Sequence, residues 1–283
     1  MSVKVRRIRK WLKWFFITIG SFLGLIIILA IVYNQLTFRL LLGLGSMDMY
    51  NGNNERGNEI MTYAFSHIEN PGGETFHAMS VQNTKNGNYN IAIEALEKAV
   101  KLEPEDGSAY YGWVLLYYYR DYEKALSVLE QCDAYTPGFS DAPMGDDIHY
   151  LKGLCHFQMK HYQTALDEFD IYINNMARTH GEGFVNVYTF IQKGRCLKAL
   201  GRFDESILSY KKAIKYYKKC TEAYYFMGLT QLEMNEKDSA CLNFNFALDL
   251  IKKGHKSSDT YVEYFHEIYT LEIERSISES CEK

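Results

Sequence analysis

Residues 187–220, VYTFIQKGRCLKALGRFDESILSYKKAIKYYKKC, and residues 221–254, TEAYYFMGLTQLEMNEKDSACLNFNFALDLIKKG, are two versions of one unit. Laid over each other at a shift of 34 residues, Phe190 meets Tyr224, Gly194 meets Gly228, Ser206 meets Ala240, Tyr210 meets Phe244 and Ala213 meets Ala247. Large residues recur on large ones and small on small. A fixed period of this kind marks a stacked supersecondary unit, which buries its apolar face only against the next copy.

Working outward, the same register returns upstream. Gly87-x-Tyr89-x-x-Ala92-x-x-x-Leu96-x-x-Ala99-x-x-x-x-Pro104 matches the second half of the unit. Tyr110 through Pro137 follows with Tyr122, Ala125 and Leu129 in place, and reads as one residue short at the inter-helix turn. A third copy shows Gly153, Tyr162, Ala165 and Phe169. The fourth holds Gly194, Gly201, Phe203, Ser206, Tyr210 and Ala213. Gly153, Gly194 and Gly228 on a first helix, and Ala92, Ala125, Ala165 and Ala240 on a second, let two helices approach closely. The aromatic or Leu four residues after each Ala lies one turn along the same face.

This pattern resembles the tetratricopeptide repeat (TPR), a pair of antiparallel helices, over about 180 residues of the chain. The resemblance implies an all-α fold, a TPR-type α-solenoid of five units at 73–106, 107–139, 146–179, 187–220 and 221–254. Residues 140–145 and 180–186 lengthen two connections. A last helix, about 258–279, carries Tyr261, Tyr264, Phe265, Ile268, Leu271 and Ile273 and is expected to cap the array within a 255–283 tail.

In such an array the first helices line a concave face, with ligand-facing positions at the second, fifth, ninth, twelfth and thirteenth residues of each unit. The resemblance places Tyr111, Tyr150, Ile191 and Tyr225 at the fifth position. Leu115, Leu154, Arg195 and Leu229 fall at the ninth, and Tyr118, Phe157, Lys198 and Leu232 at the twelfth. The implied groove is aromatic and aliphatic with a basic patch at Arg195 and Lys198. Leu stands where the family's chaperone-tail clamp needs Asn, so the expected ligand is an amphipathic helix or an extended apolar peptide.

The amino terminus carries a different signal. Residues 14–33, WFFITIGSFLGLIIILAIVY, run without a charge for twenty residues, roughly 30 Å of helix and the thickness of a bilayer core. Before them lie Lys4, Arg6, Arg7, Arg9, Lys10 and Lys13 with no acid, whereas only Arg39 and Arg56 follow closely. The positive-inside rule puts residues 1–13 in the cytoplasm and the repeats across the membrane, in the periplasm if the chain is bacterial. The run exceeds the 7–15 residues of a secretory h-region, and Ile31-Val32-Tyr33 is no cleavage site, so an uncleaved single-pass anchor is expected. Gly20 and Gly24 form a G-x-x-x-G pair, a candidate self-association face. Residues 34–72 read as a juxtamembrane linker with a short helix near 59–69.

Net charge is −4, so residues 14–283 carry −10, which argues against nucleic acid as a partner. His149, Cys155, His156 and His161 cluster without a metal-binding spacing. No phosphate-binding Gly loop, nucleophile elbow or isolated carboxylate pair stands out, so no cofactor and no enzymatic activity are expected. Of the six cysteines, Cys132, Cys155 and Cys196 fall at packing positions, and a Cys220–Cys241 bridge stays open. The expected function is that of a membrane-anchored scaffold or adaptor recruiting a protein or peptide through its concave face. The alternative is a structural subunit of a larger envelope complex for secretion or assembly.

Overall fold

The computed structural model describes residues 3–281; the side chains of residues 1–13, and with them the basic tail, lie outside the described residues. It is helical throughout, with no strand among the described residues, and it divides into two compact units, Met1–Leu102 and Glu103–Lys283.

The first unit begins with α1, Val3–Tyr50, followed by α2, Asn54–His67, α3, Gly73–Lys85, and α4, Tyr89–Leu102. α1 has 48 residues, about 70 Å at the helical rise. Its segment Phe16–Tyr50 is long and apolar enough to cross a membrane, and Phe16, Phe22, Leu25, Ile28 and Val32 are all exposed. Residues 34–50 therefore continue the helix rather than forming a linker. The break comes at Gly52, whose φ of +86° lets Gly52 N–H reach Met49 O and Asn53 N–H reach Asp48 O, a glycine C-cap. α2 then folds back along α1 and starts five residues earlier than the sequence suggests. Gly45 and Gly57 make this possible: a Cβ on Gly57 would lie 2.6 Å from Gly45 O. Leu42, Met61, Ala64 and Ile68 fill the contact.

The second unit is a run of helix hairpins. α5, Pro104–Val114, passes into a π-helical turn, Leu115–Tyr119, and pairs with α6, Tyr122–Tyr135. α7, Ile148–Gln158, pairs with α8, Tyr162–Thr179; α9, Val187–Ala199, with α10, Phe203–Tyr216; and α11, Thr221–Glu233, with α12, Lys237–Lys252. One relation holds every hairpin. A Cβ added to Gly112 would lie 2.7 Å from Leu129, one on Gly153 2.5 Å from Phe169 and one on Gly228 2.6 Å from Phe244, and one on Gly194 would come closer still to the Tyr210 ring. Each first helix thus presents bare backbone to a large side chain of its second helix, which is buried almost completely.

The carboxyl-terminal segment departs from expectation. Only α13, Thr270–Cys281, is helical; residues 255–269 form a strap without regular structure. Ser257, Ser258, Asp259 and Thr260 are turn formers, and the Asp259 carboxylate accepts from the N–H groups of Tyr261 and Val262, an Asx turn that competes with helix. Beyond it Val262, His266 and Ile268 are buried while Tyr261, Glu263 and Tyr269 are exposed, an alternation suited to extended chain. α13 docks on α12 around Phe244, Ile251, Ile268 and Ile273, and a disulfide joins Cys241 to Cys281. Cys220, left open as a partner for Cys241, is instead a buried free thiol beside Cys132, Cys155 and Cys196.

Candidate functional site

The first helices α7, α9 and α11 lie against one another, and the strap runs over the face they share with the π-turn after α5. The strap begins where Thr221 donates to His255 O and the buried Glu222 carboxylate accepts from Ser257 N–H. The His266 ring stacks on Tyr188 at 4.1 Å and on Tyr264 at 5.3 Å, with Nε2 3.0 Å from Ser257 Oγ. Arg195 donates to Gln192 Oε1 at 2.9 Å and to Phe265 O, and its guanidinium lies between the rings of Phe157 and Phe226 at 4.7 and 4.8 Å. At the far end, the Phe265 ring stacks on Tyr117 at 5.4 Å, meets Tyr122 edge-on at 6.1 Å and lies 4.4 Å under Arg120. Arg120 also donates to Glu263 O at 3.2 Å and sits 3.9 Å from the Glu263 carboxylate.

Burial sets the electrostatics of this face. It pushes His266 down to about 3, helped by the nearby Arg195 charge, so the imidazole is neutral. It raises Asp146 to about 6 against an opposing hydrogen bond from Trp113, and it raises Glu222. Arg195 is lowered by the same cause.

Leu154 and Ile191 form the fully buried floor of the face, and Tyr150 lies beside them on Phe169. Phe157 and Arg195 meet directly, whereas Lys198 turns away to an ion pair with Glu233 at 3.2 Å. Tyr225, Leu229 and Leu232 pack into the cluster that α13 and Ile268 complete. In the α5 hairpin the register differs from expectation. Gly112 opposes Leu129 as Gly153 opposes Phe169, yet the spacing is one residue longer, and the π-turn absorbs the extra residue. Counting from these glycines, the counterparts of Tyr150 and Leu154 are Ala109 and Trp113, not Tyr111 and Leu115. Tyr111 lies under Lys124 instead, and Leu115 is core; Tyr118 packs on Trp113, while Tyr117 takes the strap.

His149 pairs with Glu168 at 2.7 Å, and among the described residues no three His, Cys, Asp or Glu side chains are grouped to hold an ion.

The tetratricopeptide repeat family model matches residues 187–220, and the model of the anaphase-promoting complex, cyclosome, subunit 3 matches residues 85–170. The chain carries tetratricopeptide repeats. No curated protein matches its sequence. Among solved TPR structures it is similar to PilW, described as a widely conserved type IV pilus biogenesis factor, at 12% identity over 74% of this chain and 91% of that one, with a TM-score of 0.58. Pseudomonas aeruginosa PilF gives 16% identity over 77% and 94%, with a TM-score of 0.57. MamA of Desulfovibrio magneticus RS-1 gives 15% over 64% and 96%, with a TM-score of 0.54. At these identities the likeness is one of fold alone. Two strap contacts that the sequence reading passed over, Tyr188 and Glu222, sit at the second position of their TPR units, a position the family uses for ligands. Trp113, Tyr117 and Arg120 were hidden by the π-turn's register shift.

Proposed function

We propose that this TPR protein is a membrane-anchored scaffold that recruits a protein partner through the face lined by α7, α9, α11 and the π-turn. The observation that carries the reading is that this face already holds a non-helical peptide segment: two arginines and a ladder of aromatic rings engage both backbone carbonyls and side chains of residues 257–266, which run into a turn where Glu267 N–H donates to Tyr264 O. A surface meant only for packing repeats has no need of guanidinium groups aimed at peptide carbonyls. Satisfying the Arg195 guanidinium, enclosed between two rings, takes an acceptor-bearing occupant, because an unpaired enclosed charge is destabilising.

The exposed apolar length of α1 supports anchoring, and the basic cluster before it favours a cytoplasmic amino terminus. The Cys241–Cys281 bridge supports placing the repeats in an oxidising, extracytoplasmic compartment. The four free cysteines are buried, and burial raises Cys132 to about 11 and Cys155 and Cys196 to about 12, which keeps them poorly reactive there.

Cross-linking in intact membranes, with native chain beside Phe157→Ala and Arg195→Ala, tests the recruitment. A discrete partner that is lost in both variants supports the reading; partners that persist unchanged in both remove it. Protease added outside spheroplasts should cut the repeats while sparing the amino-terminal tail.

A further inference from the structure

The strap shows what the groove accepts. Two of its carbonyls, Glu263 O and Phe265 O, receive the guanidinium donors of Arg120 and Arg195. These contacts read main-chain carbonyls at the entry to a turn, whatever its sequence. Two side chains add selectivity: the Glu263 carboxylate lies 3.9 Å from Arg120, and the Phe265 ring fits among Tyr117, Tyr122 and Arg120. The ring contacts combine stacking with a cation over an aromatic face. The chemistry is that of a non-helical segment with a carboxylate two residues before an aromatic ring that opens a turn.

The strap is also built to be displaced locally. Its two ends are fixed, at His255 and Ser257 by Thr221 and Glu222, and at Ile268 by the α13 cluster and the Cys241–Cys281 bridge. Between them residues 258–267 have no regular structure; Asp259, Thr260, Tyr261 and Glu263 are exposed, while Val262 and His266 are buried against the groove. Lifting the arc uncovers Val262 and His266 but breaks no helix of a repeat and leaves the Cys241–Cys281 bridge closed.

We infer that residues 258–267 are an internal stand-in for the partner, and that the groove takes a non-helical, turn-forming acidic-aromatic segment of another protein, with a carboxylate at the Glu263 place and an aromatic ring at the Phe265 place. This rests on the scaffold reading and names the partner's chemistry. A tethered occupant competes at an effective concentration in the millimolar range, so an outside segment binds in proportion to how far the strap is weakened.

The test uses the full chain in detergent, disulfide intact, and a fluorescein-labelled peptide copying residues 257–269, followed by anisotropy. Phe265→Ala in the protein weakens the strap and is expected to bind the peptide at least about tenfold more tightly than the native chain. A scrambled peptide should not bind, and replacing the peptide's own Phe by Ala should abolish binding. Adding Arg195→Ala, or the more exposed Arg120→Ala should the first variant misfold, is expected to remove the gain. If Phe265→Ala keeps its helical content and melting temperature yet binds the peptide no better than native, the inference is overturned. Equal binding of the scrambled peptide overturns it as well. Partner capture in membranes that still depends on Arg195 would then leave the scaffold reading intact, so the two failures are separable.

Discussion

Arg195 reaches across seventy residues of sequence to hydrogen-bond the backbone carbonyl of Phe265. The guanidinium lies between Phe157 and Phe226, so one side chain joins three repeats to the strap. Deleting it strips the carbonyl of its donor and leaves a gap between two rings. Arg195→Ala is expected to lower stability by about 2–4 kcal/mol, and Arg195→Lys by less, since Lys keeps the charge but lacks the planar fork. Denaturant unfolding of both variants checks the order; equal losses would mean that charge alone matters.

Gly194 tests the packing of the hairpins. In an open helix Gly→Ala stabilises by about 1 kcal/mol through propensity. Here the new methyl would collide with the Tyr210 ring. Gly194→Ala is expected to destabilise by about 1–3 kcal/mol, with Tyr210→Leu restoring part of the loss in the double variant. A stabilising Gly194→Ala in urea melts would show that the two helices are not held this closely.

His266 gives the strap a pH dependence. Its folded-state value of about 3 lies below the unfolded one of about 6.5, so its contribution is complete above the unfolded value and falls as acid is added. By pH 5 the linkage amounts to about 2 kcal/mol. Asp146 and Glu222, both raised, act in the opposite sense, and so the comparison must be between variants. His266→Phe, which preserves the stack on Tyr188, is expected to lose less stability between pH 7 and pH 5 than the native chain. Parallel pH profiles would place His266 outside the buried strap.

Asp146 should behave as the mirror case. Burial raises it to about 6, so the stability it gives at low pH is lost as pH climbs through that value. Asp146→Asn keeps an acceptor for Trp113 and is expected to raise stability at pH 7.5 by about 1–2 kcal/mol with little change at pH 4. A melting-temperature series over that range decides it, and an equal shift at both ends would contradict the assignment.

The Cys241–Cys281 bridge closes a loop of forty residues around the strap. Replacing both by Ser is expected to weaken α13 by about 2–4 kcal/mol. Hydrogen exchange should then quicken over residues 255–281 while α7 to α10 stay protected. Uniform loosening of the whole unit would mean that α13 is part of its cooperative core.

Legibility from sequence followed the strength of the repeating physics. Gly194 with Tyr210 and Gly228 with Phe244 could be read directly, because a small residue against a ring recurs at fixed spacing. The α5 hairpin misleads because a unit counted from residue 107 puts Val114 where Gly112 belongs; the longer Gly112–Leu129 spacing is visible, but a π-turn has no residue signature. The strap was mistaken for helix because Tyr261, Tyr264, Phe265 and Ile268 also fit a helical stripe. The alternation of Val262, His266 and Ile268, with the Asp259 turn, was the competing signal. Residues 34–50 were read as linker from their glycines, whereas Gly45 serves the contact with Gly57. A self-bound segment leaves no trace in composition, so its seat on the groove became visible only in three dimensions.

The most direct test is a photo-crosslinking amino acid at position 117, the ring that holds Phe265, in the full chain in its native membrane. The account expects an internal adduct to residues 264–265 together with an adduct to one protein of discrete mass. The second adduct should grow in Phe265→Ala and vanish when Arg195→Ala is added. If every variant yields the internal adduct alone, the face is a packing surface and the scaffold account is contradicted.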